Sequence, residues 1–338
     1  MTDPGLASGP SPAGPLEAAP ATLERWGEVL AFGGGYNTNV VLVGTILLGI
    51  SAGAVGSFAM LKGRSLVADA LSHASLLGVS VAFLLHAAVG MEERSMPLLL
   101  LGAALAGGAA VAAIEWLTRT TRLGAETAVA TVSSASFGAG IVALSVTRRV
   151  EGADRAGLDD LVFGSTASMT RGDAALMALL AIAALGVTLA LYRPLTAVAF
   201  NERFARTRGL PVGTLDGVLA ALVGAVAMAG LQAVGMLLVV ALLVAPAATA
   251  RLWTERVGPM VLLAVALGGA AAWLGASLSA VTSRAPAGPL IVLTAAAAFG
   301  LSLALAPGRG VVAGWLRHRR LTAAAQRAAQ SREGAGAR

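Results

Sequence analysis

The chain has 338 residues and is 57% hydrophobic and 12% charged, with a mean hydropathy of +0.78 and no cysteine. This composition excludes a soluble two-domain enzyme and indicates a polytopic membrane protein. The missing cysteine removes disulfides and thiolate metal sites, and with them the usual copper(I) carrier, although Met residues remain available to a soft ion. The net charge of +6 falls as arginine in loops, as topology signals do, and nucleic-acid binding is not expected.

In chain order, residues 1–36 read as a flexible Pro-, Gly- and Ala-rich extension without a secretory signal. Residues 37–312 form the transmembrane domain and residues 313–338 a basic cytoplasmic tail. The predicted fold is an all-α helical bundle of about eight to nine spans, each long enough to cross a core of about 30 Å. The apolar runs cover residues 40–61, 66–88, 96–117, 125–146, 174–192, 215–229, 231–250, 260–281 and 289–305. The sixth run is short and separated from the seventh by little more than Gly230, so a broken or re-entrant element is expected there.

If the loops after the odd-numbered runs face the cytoplasm, 17 of the 24 Lys and Arg residues lie inside. The N-terminus is then outside and the C-terminus inside. The outward loop after the fourth run carries Glu151, Asp154, Asp159, Asp160 and Asp173, either an acidic mouth that concentrates cations or an ordinary solvated loop.

The second run holds the chain's most informative residues. Asp69 and His73 stand at i and i+4, so both project from one helix face and reach one ligand together. Ser65, Ser72 and Ser80 lie on or beside that stripe. An ionised Asp at mid-bilayer costs about 2.5–3.5 kcal/mol on insertion scales, so it faces protein or a water-filled path. A carboxylate oxygen and a neutral imidazole suit Zn²⁺, Mn²⁺ or Fe²⁺. The same pair is also compatible with an interhelical hydrogen bond or a proton relay.

Three stretches resemble the permease subunits of ABC transporters for zinc, manganese and iron. The first is Arg64, Ser65, Leu66, Asp69-Ala70-Leu71-Ser72-His73, Leu76 and Gly78, with Leu77 where such permeases usually have Pro. The second is FNERFARTRGLPV, residues 200–212, in which Asn201 and Glu202 replace the usual Asp-Pro. The third is LQAVGMLLVVALLVAPAATAR, residues 231–251, with Val240 replacing a Ser.

The resemblance implies a metal-contacting role for Asp69 and His73 in the translocation path. It implies an ATPase-docking role for the loop bearing Phe200, Asn201, Glu202, Phe204, Ala205, Arg206 and Gly209. Ser65, Ser72, Gln232 and Pro246 are further candidates for the path or its gate. It also implies an importer in the cytoplasmic membrane, with two permease copies, cytoplasmic ABC ATPase subunits and an extracytoplasmic metal-binding protein. The metal ion is cargo, and no permanently bound cofactor is expected.

The ATPase must be another chain. A Walker A motif needs Gly-Lys-Ser/Thr, whereas the single lysine, Lys62, is followed by Gly63. Two other readings stay open: a proton-coupled secondary transporter, and an ABC permease for a larger chelate or cobalamin-like cargo.

Overall fold

A computed structural model describes residues 18–64, 66–88, 96–147, 171–233, 236–282 and 286–306, and among them every regular element is helical. In chain order these are α1 (Ala18–Leu30), α2 (Tyr36–Leu61), α3 (Val67–Ala88), α4 (Met96–Thr120), α5 (Ala125–Thr147), α6 (Arg171–Ala190), α7 (Tyr192–Phe200), α8 (Glu202–Thr207), α9 (Val212–Ala233), α10 (Met236–Trp253), α11 (Val257–Val281) and α12 (Ala287–Leu305). Ser65, the acidic loop at 151–160 and the basic tail lie outside the described residues. Asp173 and Gln232 fall within α6 and α9, but their side chains also lie outside the description.

Seven of these helices are long and apolar enough to span a bilayer, and the bent α6–α7 pair has the length and composition of an eighth, as a broken span or a re-entrant loop; the apolar stretch Val239–Trp253 of α10 is shorter. All nine predicted runs are therefore helical. α9 runs through Gly230 to Ala233 and α10 starts at Met236, with residues 234–235 outside the description, and a sharp bend of 67° that the sequence did not foreshadow lies between α6 and α7. Pro194 accounts for it. It has no N–H to donate to the carbonyl of Ala190, and its ring crowds that carbonyl, so the helix yields one turn upstream.

α2 and α3 are the most enclosed long helices. α2 packs on α11, α6, α10 and α9, while α3 lies between α4 and α5 and also touches α9 and α10. The α2–α11 contact depends on small residues: a Cβ at Gly53 would run into the Ala264 carbonyl, and one at Gly49 into the Gly268 carbonyl. In a bilayer, where tails are as apolar as leucine, such close backbone approach supplies the attraction that burial supplies in water. Leu105, Leu179, Leu262, Leu293 and Leu301 are exposed on the outside of the bundle, facing where lipid would lie.

The N-terminal stretch read as a flexible extension carries α1, which packs on α11, with Trp26 Nε1 donating to Ser277 Oγ at 3.2 Å.

Candidate metal path and docking loop

The end of α2 is closed by backbone hydrogen bonds. Gly63 adopts φ +67°, its N–H bonds the Met60 carbonyl at 3.0 Å, and the Arg64 N–H bonds the Ala59 carbonyl at 2.8 Å. This is a Schellman closure, which needs a residue tolerant of the left-handed region at that position. The Arg64 carbonyl then accepts from Val67 N, the first residue of α3.

Two turns along, the predicted pair meets. His73 Nε2 lies 3.4 Å from Asp69 Oδ1. α5 supplies the opposing wall in the same register: Ser133 Oγ donates to Asp69 Oδ2 at 2.8 Å, and the Phe137 ring stands edge-on to the His73 imidazole at 4.8 Å. The Asp69 side chain is 43% exposed and that of His73 16%. His73 Nδ1 is buried and has no hydrogen-bond partner. A membrane-depth carboxylate held by one hydroxyl, beside an imidazole with a free nitrogen, can offer oxygen and nitrogen ligands together. Among the described residues no third His, Asp or Glu joins them.

The other path candidates are less open. Ser72 is buried and donates to the Ala68 carbonyl of its own helix at 2.9 Å. Ser80 is fully buried with its hydroxyl unpartnered. Pro246 is buried within α10, where it cannot donate to the Leu242 carbonyl.

The second resembling stretch forms α8 and its flanks. Asn201, in place of the expected Asp, caps α8 by accepting from Phe204 N at 3.0 Å. Gly209, at φ +75°, ends it through a second Schellman closure, with Gly209 N to Arg206 O at 3.0 Å and Leu210 N to Ala205 O at 3.1 Å. Ala205 is buried, but Phe200 and Phe204 are exposed, and the Arg208 guanidinium lies 5.0 Å over the Phe204 ring. Two phenyl rings therefore stand exposed on a charged loop.

Sequence reasoning missed what anchors this loop. Lys62 Nζ lies 2.8 Å from Glu202 Oε1 and 2.8 Å from Asp216 Oδ1, and Arg64 Nη2 lies 3.2 Å from Asp216 Oδ2. The sequence puts Lys62 and Arg64 among the inner-side charges, and Arg64 in the first resembling stretch, without naming a partner for either. Asp216 carried a usable signal, since it stands in the first turns of an apolar run and meets the same cost argument as Asp69. These contacts bring the α2–α3 turn, α8 and the head of α9 to one end of the bundle. A cavity lined by Arg64, Glu115, Thr118 and Glu126 brings the α4–α5 turn there too.

The hydrogen bond from Lys62 holds the Glu202 carboxyl below its usual range, with Arg206 and Arg64 adding in the same direction against partial desolvation. A depressed carboxylate contributes stability above its unfolded-state value and loses it as pH falls through the lowered value. Glu202 is about half exposed, so the contribution is small, under about 1 kcal/mol. Glu202→Gln will melt slightly below the wild type at neutral pH, and the gap will close below the ordinary carboxylate range; a gap that persists in acid contradicts the pairing.

Stacked apolar helices, with a carboxylate–imidazole pair on one of them and a short charged loop at one end, define a multi-pass membrane protein. The model of the ABC 3 transport family matches residues 36–306, and the chain belongs to that family. This membership bears out the resemblance to metal-ion permeases. The chain is 38% identical over 285 residues to the manganese transport system membrane protein MntC of Bacillus subtilis, covering 84% of this chain and 64% of that protein. It is 34% identical over 287 residues to the zinc transport system membrane protein TroC of Treponema pallidum, covering 85% and 95%. The structure of PsaBC from Streptococcus pneumoniae in complex with Fab superposes with a TM-score of 0.71 at 29% identity, covering 86% of this chain and 97% of that one.

Proposed function

We propose that this chain is the membrane-spanning permease of an ABC importer for a divalent first-row metal ion. The relatives named for manganese and for zinc favour those ions over iron. The observation that carries the reading is the Asp69–His73 pair. Both side chains share one face of α3, Asp69 is partly open, and His73 keeps a buried nitrogen without a partner. Two protein ligands make an incomplete sphere, which suits an ion that must also leave.

The exposed rings of Phe200 and Phe204 on the capped loop around α8 support docking of a separate ATPase. In this reading the loop end of the bundle is cytoplasmic, two permease copies enclose the path, and an extracytoplasmic protein delivers the ion. A proton relay through the same pair is the rival reading.

Reconstitution into liposomes separates the two. Manganese or zinc will enter only when the ATPase subunits and ATP are present on the loop side. Uptake by this chain alone, driven by a pH gradient and indifferent to ATP, overturns the proposal.

A further inference from the structure

The cluster around Lys62 plays no part in contacting the ion, yet it joins three segments that are far apart in sequence. Lys62 is the only lysine of the chain, and its side chain is just 5% exposed although it carries a charge. It lies between two carboxylates, Glu202 at the head of α8 and Asp216 in the first turns of α9, and Arg64 closes the set on the second oxygen of Asp216. Lys62 and Arg64 meet Glu202 and Asp216, and Arg206 of α8 also lies 3.7 Å from Glu202. An ammonium this enclosed is tolerated only while its partners stay in place.

We propose that Lys62 and Asp216 are positioning residues that tie the docking loop to the head of the metal-contacting helix, so that displacement of α8 is passed to α3. The inference rests on the reading of residues 200–209 as the ATPase-docking loop. Both sides of the link are tied by backbone hydrogen bonds. On one side the Schellman closure at Gly63 fixes the end of α2 and the Arg64 carbonyl accepts from Val67 N at the start of α3, with Asp69 seven residues beyond Lys62. On the other, α8 is fixed at both ends, by the Asn201 cap and by the closure at Gly209. A push on α8 that carries Glu202 must therefore move Lys62 or break the 2.8 Å Lys62–Glu202 pair, whose ammonium end is enclosed and whose carboxylate end is about half exposed. Moving Lys62 shifts the start of the helix that holds Asp69 and His73. The exposed pair Arg206–Glu202, at 3.7 Å, lies within α8 itself and transmits nothing.

The test uses the complete transporter in proteoliposomes, with Mn²⁺ and Zn²⁺ as probes, and measures ions moved per ATP hydrolysed. Lys62→Met and Asp216→Asn are expected to assemble and to keep hydrolysing ATP while that ratio falls at least about fivefold, the lower end of ordinary coupling between sites. Lys62→Arg keeps the charge and recovers most of the ratio. A merely structural staple would instead lower uptake and hydrolysis together, in proportion to the complex recovered, and that result overturns the proposal. So does a wild-type ratio in both neutralising variants, which leaves the importer reading intact. If the wild-type complex shows no ATP-dependent uptake at all, the docking reading fails first and this inference falls with it.

Discussion

Asp69→Ala and His73→Ala permeases will assemble in the membrane at wild-type levels and accumulate no more manganese or zinc than cells lacking the chain. Each substitution removes one of the two side chains proposed to hold the ion, and among the described residues no third His, Asp or Glu joins them. Loss of an outer-shell partner alone costs a metal site about 10–100-fold, so loss of a ligand should exceed about 100-fold in uptake. Assembly should survive. Asp69 is partly open, and its contacts are one hydroxyl, from Ser133, and its own helix neighbour. Alanine also suits a helix better than either native residue. Cellular metal content and membrane abundance, measured together, decide the matter, and normal uptake in either variant removes that residue from the path.

Gly53→Leu will leave little folded permease. The Cβ alone would overlap the Ala264 carbonyl, so a whole isobutyl group requires α2 and α11 to separate along their contact. Over-packing costs about 1–3 kcal/mol where neighbours can adjust, and here the obstacle is backbone, which adjusts least. A fall in melting temperature of roughly 5–10 °C, or loss of the monodisperse species in detergent, is the expected readout. Gly300→Leu on α12 is the matched control, because nothing lies within 4 Å of a Cβ there. Equal melting of both variants would show that α2 and α11 do not meet at Gly53.

Of the wider expectations, those carried by residue type and local period agree with the structure. Apolar runs of about 20 residues became helices, and the i,i+4 relation of Asp69 and His73 became one face of α3. The bend between α6 and α7 was not foreseen, because the fifth apolar run, at 174–192, stops short of Pro194. Pro194 removes a hydrogen bond and adds a clash, and the bend lies there.

The single sequence determined the membrane class, the helical runs and the ligand pair, since each depends on neighbours within a turn or two along the chain. The tertiary structure alone decided that Ser133 and Phe137 would face that pair, and that Lys62 would find Glu202 at 140 positions' distance and Arg64 would find Asp216 at 152. A buried charge announces that it needs a partner because desolvation is costly. Which distant residue answers is set by how the helices pack, and the local pattern of the chain holds no record of that.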